Sequence, residues 1–256
     1  MTLAARQTIA LTKRLLLALW RQPWFVAIML VQPLIWLLLF GALFKRVVEI
    51  PGFHGGSYIQ FLTPGIVIMS ALFSAGWQGM AFIDAINRGI MDRFLVSPVW
   101  RGALIAASLL QSVVVIVIQS LVIIGISFAV GASFSVRSIV LMIALAALLG
   151  GAVCALSDAL GLVARQEETL IGAVQMVVLP ATFLSSGMMA ANLLPGWVRD
   201  VARFNPVNWA VIATRSASSA SVDWSLVGTR AGLLGAMLLL SAWIATRAFR
   251  VYQRAV

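Results

Sequence analysis

Six stretches of about 20 mostly apolar residues, separated by short charged segments, constrain this chain more than any other feature. A helix needs about 20 such residues to cross the hydrocarbon core of a bilayer. The expected spans cover about 24–44, 61–83, 102–130, 138–157, 169–190 and 226–246. Charged residues make up only 10% of the chain and hydrophobic ones 62%, against about a quarter charged in ordinary soluble domains. That leaves too little polar surface to cover a soluble globule, and the apolar content also excludes a disordered chain. Residues 1–256 therefore read as one all-α integral membrane domain with six transmembrane helices.

The net charge of +10 does not point to nucleic acid, because the basic residues lie between apolar runs and form no continuous patch. With an even number of spans, both ends share one side. An inside N-terminus puts eleven basic residues in cytosolic segments and seven outside (Lys45, Arg46, Arg137, Arg199, Arg203, Arg215 and Arg230). The positive-inside bias thus predicts both termini in the cytosol. The first run is a full span with no small-residue cleavage site after it, so no cleaved signal peptide is expected. Cys154 and His54 are each alone, which removes intramolecular disulfides, Cys- or His-based metal clusters and most His-dependent catalysis.

Residues 1–22 behave differently from the spans. At 100° per residue, Arg6, Lys13, Arg14 and Arg21 fall within an arc of roughly 100°, with Ile9, Leu15, Leu16, Leu19 and Trp20 opposite. The pattern predicts an amphipathic helix lying in the interface, its basic face toward anionic headgroups. Between the second and third spans, residues 84–98 alternate charged and apolar positions at helical spacing. Arg88 and Asp92 stand at i,i+4, Ile90, Phe94 and Leu95 form an apolar face, and Ser97-Pro98 ends the segment. Composition leaves two readings of this segment open: a cytosolic connector, or a short helix that docks on a partner.

Polar residues inside the spans are few. Ser108, Ser112 and Gln119 lie within about 40° of one another on the third span, with Gln111 about 60° to one side. Together with Trp77, Gln78, Gln175 and Thr182 they are candidates for a transport route or a seam between subunits. The alternative is interhelical hydrogen bonding that only packs the bundle. Gly150, Gly151 and Gly161 suit close helix packing, Gln32-Pro33 is expected to kink the first span, and Asp158 is expected at the cytosolic end of the fourth, an intramembrane carboxylate being the other reading. The segment 185–223 is too apolar for a free loop, yet Pro195-Gly196 and Asn205-Pro206 interrupt it. Short re-entrant outer helices satisfy both facts; an amphipathic surface loop is the other reading.

The order of motifs adds a resemblance. Leu62-Thr63-Pro64-Gly65, Arg88-Gly89, Asp92-Arg93 and Ser97-Pro98 are followed by Leu179-Pro180 and Leu184-Ser185-Ser186-Gly187. Leu194-Pro195-Gly196-Trp197 and Asn205-Pro206 complete the series. This resembles the ABC-2 type permeases of ATP-binding-cassette exporters, especially those of the daunorubicin-resistance type. The resemblance implies a bacterial cell-membrane permease that pairs with a second permease, like or unlike, and with two ATPase subunits. It implies that residues 84–98 form the coupling helix seated on the ATPase, through Asp84, Asn87, Arg88, Gly89, Asp92, Arg93, Phe94, Ser97 and Pro98. This chain has no GxxxxGK[ST] phosphate loop, so ATP and Mg are expected in the partner, with no cofactor and no catalytic residue here. The expected cargo is a hydrophobic or amphipathic molecule (drug, antibiotic, lipid or glycolipid), the alternative being a polysaccharide or lipid-linked glycan. An intramembrane enzyme would need a nucleophile–base pair that one Cys and one His scarcely supply. An ATP-independent carrier would typically show internal repeats and midplane charges, and neither stands out.

Overall fold

Local sequence sets where each helix begins and ends. The computed structural model describes residues 3–44, 57–91, 101–189, 193–219 and 221–254. Ten α-helices occur among them: α1 (Leu3–Trp20), α2 (Pro23–Leu43), α3 (Tyr58–Gly76), α4 (Met80–Asn87), α5 (Arg101–Ala129), α6 (Val136–Ala164), α7 (Glu167–Phe183), α8 (Gly196–Ala202), α9 (Pro206–Ser218) and α10 (Trp224–Arg254). Pro23 and Pro206 occupy the first helical position, where the missing N–H costs nothing. Ser57, Ser135 and Asn205 cap α3, α6 and α9 by accepting backbone N–H groups. Glu167 and Glu168 place negative charge in the first turn of α7.

No strand occurs among the described residues. Four helical stretches there are long and apolar enough to cross a membrane: Tyr58–Asn87, Gly102–Ala129, Val136–Ala164 and Trp224–Gln253. Ala27–Leu43 is a shorter apolar helix. The second expected span is thus longer than 61–83 and is broken at Trp77–Gly79, between α3 and α4. The fourth runs seven residues past Ser157, to Ala164, so Asp158 lies inside α6, fully buried, rather than at its end. The fifth stops at Phe183 instead of continuing to 190, because the chain bends through Leu184–Met189. The sixth extends to Arg254, absorbing the basic tail into α10. Helix α2 passes through Pro33 without ending there.

Helix α6 is the hub, packing most extensively on α10 and then on α3, α5 and α9. The main core joins Leu62, Ile66, Ile68 and Leu72 of α3 to Ile116 and Ile123 of α5 and Met142, Leu145 and Leu149 of α6. A second core gathers Phe82, Met91, Ile105, Ala155, Leu162, Phe249 and Tyr252 around the α4 end of the bundle. Large apolar side chains stay exposed on the outer faces, among them Trp24, Leu43, Met176, Leu239 and Trp243. Such faces suit a lipid solvent and do not suit water.

Helix α1 packs against α5. Thr8 and Thr12 are buried, and each hydroxyl donates to the carbonyl four residues earlier, an arrangement that hides a polar side chain within its own helix. Arg6, Lys13, Arg14 and Arg21 are all exposed, as are Ile9 and Trp20. The helix therefore has three faces rather than two: one against the bundle, one basic and one apolar.

Candidate transport site

Helix α5 turns its polar face inward, with Ser108, Gln111, Ser112 and Gln119 all buried. They divide between two neighbours. Toward α6, Ser108 Oγ lies 3.7 Å from Cys154 Sγ, and Cys154 Sγ donates to Asp158 Oδ2 at 3.8 Å. Toward α2 and α3, Gln78 Nε2 donates to Gln111 Oε1 at 2.7 Å, and Gln119 Nε2 donates to the carbonyl of Met29 at 2.9 Å. Gln111, Gln119, Trp77 and Gln78 line one cavity of about 250 Å³, whose walls also hold Gln32, Trp36 and Phe73. Four of the eight expected route residues thus meet at one place. Ser108 and Ser112 lie beside it, facing or flanking the Cys154–Asp158 pair. Gln175 and Thr182 sit elsewhere, on α7, where Thr182 Oγ1 donates to Val178 O.

A second constellation organises the segment after α7. Ser185 Oγ donates to Thr182 O, and Asn205 Nδ2 donates to the carbonyls of Ala181 and Leu184. Asn208 Oδ1 accepts both the amide and the hydroxyl of Ser186, while its Nδ2 donates to Ala202 O. Arg215 Nη1 and Nη2 donate to the carbonyls of Ser186 and Gly187 at 2.6 and 2.7 Å, and the guanidinium lies 3.7 Å above the Phe61 ring. Burial pushes the Arg215 pKa down from its ordinary value. Carbonyl acceptors and a ring face are the groups that hold a desolvated arginine. Pro195 and Asn205 are the N-caps of α8 and α9, and Gly196 and Pro206 their first residues, so these four positions start helices as well as interrupting the apolar run.

The break between α3 and α4 has its own fastening. Ser157 Oγ accepts the Gly79 N–H and donates to the Gly76 carbonyl, satisfying backbone groups that the interruption frees. A β-carbon on Gly79 would overlap the Ser157 carbonyl, and one on Gly161 would overlap the Gly79 carbonyl. The two backbones meet with no room for a side chain.

Helix α4 ends at Asn87 rather than continuing toward Ser97. Arg88 caps it, Gly89 adopts φ 65°, and the Gly89 N–H bonds Ile86 O. A glycine in the left-handed region just past a helix end is the usual stop signal, so the expected continuous helix over 84–98 is interrupted at its fifth and sixth residues. Arg88 pairs with Asp84 at 2.7 Å, both exposed. Asp92, Arg93, Phe94, Ser97 and Pro98 lie outside the described residues, as do Lys45, Arg46 and His54.

Sequence reading missed the parts played by Gln32, Ser157, Asn208 and Arg215. Arg215 carried a signal, since an arginine within an apolar helical run needs a dedicated set of partners. Ser157 and Gly79 carried none, because their contact joins residues 78 positions apart.

The ABC-2 type transporter family profile matches residues 6–218. The chain is 27% identical over 225 residues to the daunorubicin resistance ABC transporter permease protein DrrB1 of Streptomyces coeruleorubidus, covering 86% of this chain and 77% of that one. It is 30% identical over 218 residues to the ycf38 product of Pyropia yezoensis, provisionally described as a transport permease, covering 84% and 75%. It is also 26% identical over 204 residues to the inner membrane transport permease YadH of Escherichia coli strain K12, covering 78% and 79%. With its apolar helices and this match over most of its length, the chain is a multi-pass membrane protein and a member of the ABC-2 type transporter permease family.

Proposed function

We propose that this chain is the membrane-spanning subunit of an ATP-driven exporter in a bacterial cell membrane. It moves a hydrophobic or amphipathic molecule, such as a drug, antibiotic, lipid or glycolipid, out of the cell. Support comes from the family, from the name of the relative DrrB1, and from a cavity walled by aromatic and neutral polar side chains. Two copies of a separate ATPase subunit bind ATP and Mg, and a second permease, like or unlike, completes the pair. Helices α2 and α7 join the four long spans to give six, with both termini cytosolic, α1 in the interface and α8–α9 re-entrant on the outer side. On this reading, residues 84–98 are the coupling segment that receives the ATPase, with the exposed Asp84–Arg88 pair at the end of α4.

The observation that carries the reading is that exposed pair at the tip of a span, beside a left-handed glycine. The test is co-expression with a candidate ABC ATP-binding subunit from the same genome, using Asp84→Asn, Arg88→Gln, Asp92→Asn and Arg93→Gln together. Loss of ATP-dependent export from inverted vesicles, with normal membrane insertion, is expected. Unchanged export by the inserted variant overturns the coupling assignment, and export independent of ATP overturns the exporter reading.

A further inference from the structure

The cavity between α1, α2, α3 and α5 holds polar groups that the fold leaves unused. Among the described residues its lining contains no Asp, Glu, Lys or Arg. Gln119, only 3% exposed, has its amide nitrogen on Met29 O while its Oε1 has no hydrogen-bond partner among the described residues. A buried carbonyl without a donor is a standing cost to the folded state, and a ligand hydroxyl or amide N–H removes it. Gln78 and Gln111, bonded to each other, provide further neutral donors and acceptors in the same wall. The remaining surface is apolar and polarizable: Met29, Trp36, Met69, Phe73 and Trp77.

Access follows from the lining as well. Ile28 and Gln32 line the cavity and are exposed on the outside of the bundle, and Leu19 of α1 stands beside them. The cavity is therefore open to the outside at Ile28 and Gln32 of α2. At about 250 Å³ it falls just below the usual ~300–1,000 Å³ of a site enclosing a whole drug-sized ligand. It fits one ring system or the polar end of a longer molecule, with the rest lying along Ile28. A charged headgroup would be buried here with no counter-ion among the described lining residues, which is strongly unfavourable.

We propose that this cavity binds the polar end of an uncharged amphiphile, using Gln119 Oε1 as acceptor for its hydroxyl or amide N–H. The proposal rests on the exporter reading for its meaning, since it names the class of molecule taken from the bilayer, but binding itself needs no ATPase. Two sources share the chemistry: a neutral bilayer lipid and an uncharged hydroxylated aromatic cargo.

The test uses the purified full-length permease in nanodiscs of phosphatidylethanolamine and phosphatidylglycerol, with three diazirine probes: a diacylglycerol, an uncharged hydroxyanthraquinone and palmitate. Labelling of peptides carrying Met29, Trp36 or Met69 by a neutral probe, competed by its unlabelled form and absent with palmitate, supports the site. The neutral probe that labels identifies the source. Gln119→Leu weakens apparent affinity about tenfold, equivalent to about 1.4 kcal/mol, and Ser74→Phe fills the cavity and abolishes labelling, in variants that elute as wild type does. If a variant does not fold, competition on the wild type decides. Absence of cavity labelling by both neutral probes, equal labelling by palmitate, or wild-type affinity in folded Gln119→Leu overturns the proposal. Cavity labelling without ATP-driven export sinks the exporter reading and leaves the site. Export without cavity labelling does the reverse.

Discussion

Gly65 of α3 lies so close to the Gly187 carbonyl that a β-carbon at position 65 would overlap it. The bend after α7 is therefore seated directly on the α3 backbone. Gly65→Ala forces two backbones apart, and overpacking of this kind costs about 1–3 kcal/mol. A lowered melting temperature in detergent is the expected result, measured by intrinsic tryptophan fluorescence.

Arg215 holds the same bend, through two carbonyls and the Phe61 ring. Arg215→Lys keeps the charge but cannot reproduce the planar fork. Loss of one charge-assisted bond predicts about 1.5–3 kcal/mol of destabilisation. Limited proteolysis of the 185–223 segment reads this directly: cleavage accelerates in Arg215→Lys and more so in Arg215→Leu.

Ser157→Ala removes one hydroxyl and leaves two buried backbone groups, the Gly79 N–H and the Gly76 carbonyl, without that partner. The expected cost is about 1–3 kcal/mol. Amide hydrogen exchange localises the effect: the Gly79 amide loses protection while the main-core amides of α3 keep theirs.

The Asp84–Arg88 pair contrasts with these, because both side chains are more than half exposed. Surface pairs of this kind contribute about 0–1 kcal/mol. Asp84→Asn with Arg88→Gln is expected to leave the melting temperature within about 3 °C of wild type, even though the same changes enter the export test above. A large stability loss would mean that the pair is structural.

The apolar runs were legible because hydrophobic length is a one-dimensional property. Helix ends were less so. The stop at Gly89 follows from a single glycine in the left-handed region, whereas periodicity alone carries the helix on to Ser97. The shortened α7 depends on Asn205, Asn208 and Arg215, all at least 21 residues away from the groups they bind in the bend. On α5, the wheel placed Gln111 and Gln119 near the same face. It could not say that Gln32 and Gln78 would meet them, because three helices must be assembled before the cavity exists. Asp158 looked like a terminus because Arg165 follows. The structure instead carries α6 about two turns further and places Arg165 at its cap, 4.7 Å above the Tyr252 ring.

The second core changes what the longest helix can do. Helix α10 has 31 residues, about 46 Å at 1.5 Å per residue, while the hydrocarbon core is about 30 Å. Its Phe249 and Tyr252 are clamped into the same cluster as Phe82 of α4 and Met91 just beyond it. Displacement of that end has little slack to absorb it, because close-packed interiors transmit strain. Met91 is thereby tied through this cluster to a long rod that packs along α6 for much of its length.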